Sequence, residues 1–163
     1  MHLRTALLAA GLLALPGCMG GLTPGQVAPA DIPDPVTLKR TGMPNDWLIC
    51  PTGACAATAS SAAPTYTIPP SALFQAWRTV LAAQPRVTVI AEDEPRLLIL
   101  VQDRTPILRF VDTISIRVLP ASGDGSTFAA YSKSNIGRGD FGTNRRRLEA
   151  WQGDLAPHLG PTG

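Results

Sequence analysis

One carboxylate interrupts an otherwise apolar strand face, and its position suggests chemistry. Residues 107–119 alternate as a long strand, and the face that is apolar elsewhere carries Asp112. If the chain turns back near residues 120–125, matching the apolar faces of the two strands places Asp112 beside Ser132 or Ser134. An unpaired carboxylate facing a core is costly, so we expect hydroxyls and a cation to satisfy it.

Three consecutive arginines supply the opposite charge. Arg145, Arg146 and Arg147 fall in the first turn of a predicted helix, where cations oppose the helix dipole. In one interpretation, Asp112 or Asp140 neutralises an arginine and holds the helix to the sheet. In a second, the arginines and the helix amides bind an anion such as a phosphate or carboxylate group. A catalytic centre built from the same residues is the third.

The composition argues against several classes of function. His2 and His158 are the only histidines, which disfavours His-rich metal sites and Ser-His-Asp catalysis. Lys and Arg number 14 against 12 Asp and Glu, and a net charge of +2 lacks the clustered basic excess of nucleic-acid-binding proteins. We therefore expect no metal, no cofactor and no nucleic-acid partner.

The three cysteines divide into a single residue and a pair. Cys18 lies at the end of the N-terminal apolar segment, and setting it aside leaves Cys50 and Cys55. In an exported protein this pair is expected to form a structural disulfide, which would close a six-residue loop and stabilise the fold by about 2 kcal/mol. Free or redox-active thiols and a metal-binding pair are the alternatives, although C-x4-C is not the thioredoxin-like spacing.

The first 17 residues have the pattern of an export signal. Arg4 gives a positive start, residues 6–15 are almost wholly apolar, and small residues follow. The apolar stretch is shorter than the ~20 residues that span a membrane. Leu15, Gly17 and Cys18 resemble the end of a bacterial lipoprotein signal, which implies cleavage before Cys18 and its acylation. An ordinary secretory signal, with Cys18 as a bystander, is the alternative.

Acylation would make the membrane the protein's first partner, because two or more acyl chains hold a protein stably on a bilayer. Met19, not an aspartate, follows the cysteine. By resemblance to Gram-negative lipoproteins, this favours the outer membrane. The expected location is the bacterial cell envelope, at the periplasmic face of the outer membrane.

The rest of the chain divides by proline content. Nine of the sixteen prolines fall in residues 19–70, and proline disfavours regular helix and strand. We predict a lipoprotein signal peptide (1–17), a Pro-rich tether (18–44), a disulfide-containing loop segment (45–64), a folded domain (65–157) and a flexible tail (158–163).

The domain should be α+β, with an antiparallel sheet of four to five strands and two helices packed on one face. Ser71 is the expected cap of the first helix, which ends before Pro85. The apolar run from Leu97 to Val101 predicts a strand covered on both faces. The predicted elements are a short strand at 66–68, helices at 72–84 and 143–157, and strands at 86–92, 96–102, 107–119 and 126–136.

Residues 132–148 carry a spaced pattern, S-x-S-x-x-G-x-x-D-x-G-x-N-x-x-R-L. It resembles the signature of an uncharacterised family known as domain of unknown function 1499, and the resemblance extends over residues 45–157. The family tends to carry an aspartate in the preceding strand, which Asp112 matches. It often has arginine where this chain has Tyr131 and Asn135, so the basic character is thinner here.

The resemblance implies no reaction, but it extends the set of residues to test. Thr143 or Asn144 is an expected helix cap, since small polar side chains accept hydrogen bonds from first-turn amides. The candidate polar cluster comprises Asp112, Ser132, Ser134, Asp140, Asn144 and Arg147.

We expect a membrane-anchored envelope lipoprotein that acts as a non-enzymatic binding or scaffolding module, with another envelope protein as a possible partner. One alternative is a carrier of a small anionic or lipid ligand that uses the region of Asp112, Ser132 and Arg147. An enzyme centred on these residues is another. A carrier should show a sizeable apolar cavity under the helices, whereas a scaffold should show a filled core and an exposed patch.

Overall fold

The protein folds into one six-stranded sheet with two helices, in a computed structural model that describes residues 21–159. The strand order is β2-β1-β6-β5-β4-β3, and β1 and β2 run parallel while the other neighbours are antiparallel. The α+β class is confirmed, but the expected sheet of four to five antiparallel strands is wrong. The strands are β1 (Asp46–Cys50), β2 (Ser61–Ala62), β3 (Val87–Asp93), β4 (Leu98–Arg104), β5 (Val111–Pro120) and β6 (Ser126–Ser134), and the helices are α1 (Pro70–Ala83) and α2 (Thr143–Gly153).

The two unexpected strands lie in the segment that was predicted to be loop. β1 pairs with β6 on one side and with the short β2 on the other. Leu48, Ile49 and Cys50 are all buried, because both faces of β1 are covered. A strand buried on both faces loses the alternation that identifies a strand from sequence, and this one is also only five residues long.

Both helices contribute to one core against the same face of the sheet. Trp77 of α1 and Leu148 of α2 belong to the same buried cluster as Ile114 of β5 and Phe128 of β6. The predicted register is confirmed, because Asp112 lies opposite Ser134. The core residues from the helices are Leu73, Phe74, Ala76, Trp77, Val80, Leu81, Leu148 and Trp151.

The opposite face of the sheet is covered by residues 21–40, which we call the N-terminal strap. Ile32 of the strap is 3% exposed and packs with Ile90, Leu98 and Leu100. The apolar run in β4 is therefore covered on both faces, as predicted. The described part of the expected Pro-rich tether lies against the domain, because its few apolar side chains find a matching sheet face.

Several element ends differ from the predictions. Pro69 occupies the cap position of α1, and Ser71 lies inside the helix without a side-chain cap bond. The segment from Tyr66 forms a single bridge to Ser126 and no strand. The predicted strand at 107–119 begins at Val111, because residues 105–110 form a turn closed by the Thr105 backbone N–H donating to the Phe110 carbonyl at 2.8 Å. The second helix ends at Gly153, and β6 ends at Ser134.

The sheet has two ends of different character. At one, which we call the loop end, lie residues 43–44, the β4–β5 loop (105–110) and the β6–α2 loop (135–142). At the other, the hairpin end, lie the β3–β4 turn (94–97) and the β5–β6 turn (121–125). The predicted polar cluster falls at the loop end, where α2 begins.

Candidate functional site

Arg147 is the centre of the polar cluster. Its position in α2 turns the side chain towards β4, β5 and β6, and only 4% of that side chain is exposed. The Nε–H donates to Asp103 Oδ2 at 2.9 Å, and one terminal nitrogen donates to Asp112 Oδ2 at 2.6 Å. The other terminal nitrogen donates to the hydroxyl of Ser132 at 2.9 Å and to Asn144 Oδ1 at 2.7 Å. One guanidinium thus joins three strands to one helix.

Asn144 extends the network to the strand that the sequence did not reveal. Its Oδ1 accepts from the Ser132 hydroxyl at 2.6 Å, and its Nδ2 donates to the Ser134 hydroxyl at 3.0 Å. The same Nδ2 also lies 2.9 Å from the backbone carbonyl oxygen of Asn45, just before β1. Asn144 is fully buried, and its amide therefore fixes the start of α2 against both β6 and β1.

Asp140 caps α2, a role that the sequence analysis gave to Thr143 or Asn144. The Gly142 backbone N–H donates to Asp140 Oδ1 at 3.0 Å, and the Asn144 backbone N–H donates to Oδ2 at 2.8 Å. Gly142 has φ 75°, a left-handed conformation that glycine adopts without steric cost. Since the chain reverses at this glycine, the capping carboxylate comes from two residues earlier.

Asp103 and Asn45 are members of the cluster that the sequence analysis missed. Asp103 was assigned to a turn, but it is in β4 and lies directly opposite Asp112 of β5. If the turn between these strands is placed at residues 105–110, the antiparallel register pairs Asp103 with Asp112. Asn45 donates from its side chain to the carbonyl of Gly137 at 2.8 Å, and no local pattern marks it.

The positive charge of this cluster is already neutralised, so little of it is available to bind an external anion. Arg147 faces two buried carboxylates, and Arg86 reaches Asp103 only at 3.9 Å with a side chain that is 47% exposed. The guanidinium is enclosed and hydrogen-bonded at all three nitrogens. The hydroxyl of Ser132 is likewise engaged on both sides, by Arg147 and Asn144. This geometry suits a buried anchor between helix and sheet.

A second polar group lies on the other face of the sheet near the loop end. Arg40 of the strap forms an ion pair with Asp46 of β1, and the Tyr131 hydroxyl donates to the same carboxylate at 2.7 Å. Burial raises the pKa of the Tyr131 phenol well above its usual value, and the hydrogen bond to Asp46 adds to the shift. Tyr131 therefore remains a hydrogen-bond donor at alkaline pH values at which a free tyrosine ionises.

The remaining predicted residues have simpler outcomes. Cys50 and Cys55 form a disulfide, as predicted. Cys18 lies outside the described residues. His158 is exposed in a short 3-10 turn after α2. Within residues 21–159, no three His, Cys, Asp or Glu side chains converge as metal ligands, and no helix is long and apolar enough to cross a membrane.

An open apolar cleft adjoins the cluster at the loop end. Its volume is about 470 Å³, and its walls come from the β4–β5 and β6–α2 loops. Asp112, Ser134 and Asp140 contribute to its lining, so the cleft reaches the edge of the buried network. Four exposed apolar side chains also line it, namely Ile107, Leu108, Ile136 and Phe141.

Comparison with known proteins supports the family resemblance that was based on residues 132–148. None of the curated proteins searched matches the chain. A family model described as protein of unknown function (DUF1499) matches residues 31–155. That range includes the second half of the strap, every strand, both helices and the whole polar cluster. The chain therefore belongs to the DUF1499 family of proteins of unknown function.

Proposed function

We propose that this protein is a bacterial envelope lipoprotein, held on a membrane by acylated Cys18, whose domain is a non-enzymatic binding module. The binding role is supported by the contrast between buried polar residues and exposed apolar residues at the loop end. There, a polar cluster that is buried and internally hydrogen-bonded lies beside an open apolar cleft. The polar residues hold the fold together, and the apolar residues are left facing outward.

The buried network is poorly arranged for catalysis. A nucleophilic serine needs an adjacent base to take its proton, but the Ser132 hydroxyl donates to a side-chain amide. Arg147 is 4% exposed at its side chain, so a substrate would have to displace the carboxylates that already bind it. These contacts support a structural role for the cluster, and we propose that binding takes place on the surface around it.

The disulfide supports the export part of the proposal. Cys50 and Cys55 are bonded in the segment between β1 and β2. Disulfides persist in the periplasm and outside the cell, whereas the cytosol keeps thiols reduced. A domain with a structural disulfide therefore suits an exported chain, and the lipoprotein-like residues before Cys18 supply an export route with an anchor.

The test of the anchor is acylation at Cys18. Cells grown with labelled palmitate should yield labelled protein in the membrane fraction, and Cys18→Ala should abolish the label and release the protein into the soluble periplasm. The double variant Cys50→Ala/Cys55→Ala is the matched control, because it removes two cysteines and should keep the label. Continued membrane retention and labelling of Cys18→Ala would overturn the proposal. Separation of inner from outer membranes then tests the expected outer-membrane location.

A carrier of a small lipid ligand is the second candidate, favoured by the size of the cleft, which lies at the loop end and not under the helices as expected for a carrier. Ligand pockets commonly enclose about 300–1,000 Å³ and are mostly apolar, and this cleft is within that range. An anionic ligand has less support, since the charged groups that line the cleft are Asp112 and Asp140. A native mass spectrum of the Cys18→Ala protein from periplasm would show a bound lipid mass in a carrier and a bare chain mass in a surface-binding module.

A further inference from the structure

The large hydrophobic side chains that are exposed in residues 21–159 are concentrated at one end of the molecule. Among the described residues, six large hydrophobic side chains are exposed, and five of them lie at the loop end. Phe141 is 96% exposed and Ile107 is 88% exposed, values typical of side chains that touch almost nothing in their own chain. The five are Met43, Ile107, Leu108, Ile136 and Phe141, and the sixth is Val89 in β3.

The loop that carries Phe141 holds it at a conformational cost. Phe141 has φ 52°, and Arg109 in the neighbouring β4–β5 loop has φ 54°. Bulky residues rarely adopt this left-handed region, where glycine or asparagine would fit with less strain. Neither side chain gains burial within the domain in return, because both are exposed. The strained backbone of Phe141 is therefore not offset by burial of its own side chain within the domain.

Charge is polarised in the same direction. The exposed charged residues of the two loops at the loop end are arginines, Arg109 and Arg138, and Arg146 follows in the first turn of α2. On the turns of the hairpin end, the exposed charged residues are Glu94 and Asp124. Arginine beside exposed apolar side chains is suited to anionic phospholipid headgroups, near which each cation gains about 1 kcal/mol.

The chain also enters the domain at this end. Leu22 donates its backbone N–H to the side chain of Gln102 at 2.8 Å, near the end of β4. Gly21 lies against Val111, the first residue of β5. Three residue steps separate Cys18 from Gly21, a span of at most about 11 Å for an extended chain. An acyl anchor on Cys18 therefore keeps the loop end close to the bilayer.

We propose that the loop end is a membrane-contact surface, whose exposed apolar side chains enter the interface of the bilayer that holds the acyl anchor while Arg109, Arg138 and Arg146 bind anionic headgroups. The membrane contact deepens the proposed function and rests on it for the acyl anchor. The concentration of exposed apolar side chains and arginines at the loop end does not depend on Cys18. The occupant of the cleft mouth is then the bilayer interface. The sheet stands with its hairpin end away from the membrane.

The experiment places an environment-sensitive dye on the proposed contact. The acylated full-length mature protein carrying Phe141→Cys is labelled with the fluorophore NBD and reconstituted into vesicles of phosphatidylethanolamine and phosphatidylglycerol. The dye reacts at the introduced cysteine, because the native cysteines are held in the disulfide or acylated. We expect blue-shifted emission that spin-labelled lipids quench. The matched control is Ser122→Cys at the hairpin end, which should report water.

Further variants separate insertion from mere proximity. In the labelled protein, Ile107→Ser/Leu108→Ser should lower the inserted fraction at least about tenfold, because two apolar side chains no longer leave water. Arg138→Gln should lower it about fivefold, and only in vesicles with phosphatidylglycerol. Val89→Ser, which removes a large exposed hydrophobic side chain away from the loop end, should change nothing. Circular dichroism confirms that each variant is folded.

The outcomes distinguish this inference from the proposed function. Emission at position 141 that matches position 122, in protein whose intact mass shows acylated Cys18, overturns the membrane-contact surface and leaves the lipoprotein intact. If the intact mass of the protein shows no acyl chains, the proposed anchor is overturned. The change in dye emission at position 141 when vesicles are added then still tests the membrane-contact surface. If the dye at position 141 gives blue-shifted emission without vesicles, and one tightly bound lipid stays with the protein, the protein is a carrier. That result overturns the bilayer as the occupant of the cleft mouth.

Discussion

At the scale of single residues, Arg147 determines how α2 meets the sheet. The alternation of β5 was enough to predict that Asp112 faces the helices and lies beside Ser134, because side chains on a strand repeat every two residues. The same reasoning missed Asp103, since a residue next to a turn signal was assigned to the turn. As a result, the sequence predicts one carboxylate partner for the arginine, whereas the structure has two.

Removal of Arg147 should leave both carboxylates buried without their cation. We expect Arg147→Ala to lower the free energy of unfolding by about 3–5 kcal/mol, the usual cost of breaking a buried pair. Arg145→Ala is the control two positions away, because its exposed ion pair with Glu149 and its contact with the Trp47 ring should together contribute only about 1 kcal/mol. Urea denaturation of the two variants measures both values. Similar losses for the two would show that the buried cluster is not a structural anchor.

At the scale of elements, the N-terminal strap explains which parts of the fold could be predicted. Both helices, and the four strands β3 to β6, follow from apolar periodicity and turn residues. The strap and β1 do not, because proline-rich sequence disfavours regular structure and says nothing about whether the segment packs. The apolar run in β4 did require a cover on its second face, and that requirement was the signal for the strap.

The strap should contribute to stability as a core element does. Ile32→Ala should lower the free energy of unfolding by about 2–5 kcal/mol, the range for truncating a buried Leu, Ile or Met, because Ile32 packs on Leu98 and Leu100. Thr37→Ala, at an exposed strap position, should stay within about 0.5 kcal/mol of wild type. Thermal or urea unfolding distinguishes these values. A neutral Ile32→Ala would show that the strap is a tether after all.

At the scale of the whole molecule, both tyrosines of the chain are tied to folding. Burial raises the pKa of Tyr66 to about 12, and the pKa of Tyr131 is raised as well. Between the ordinary value of 10.0 and the raised values, the folded state keeps protons that the unfolded state releases. The stability from these phenols is therefore full below pH 10 and falls as the pH rises towards 12.

This predicts an alkaline transition in which ionisation and unfolding coincide. The chain has two tyrosines, so phenolate absorbance at 295 nm reports on both together. We expect little phenolate in the folded protein at pH 10, and a joint rise in phenolate and loss of tertiary signal above it. Urea-unfolded protein is the control and should titrate near 10. Half-titration of the folded protein by pH 10 would contradict the burial of these hydroxyls.

The path of the strap has a mechanical consequence. It leaves the loop end beside Gln102, donates from Gly25 to the carbonyl of Ile90, and reaches Arg96 through the carbonyl of Pro29 near the hairpin end. In the proposed lipoprotein, drag on the domain would pull at the end of the strap next to Cys18, so the load would fall on these contacts one after another. These contacts would break in sequence and lengthen the link to the membrane, until the buried side chain of Ile32 resists further detachment of the strap.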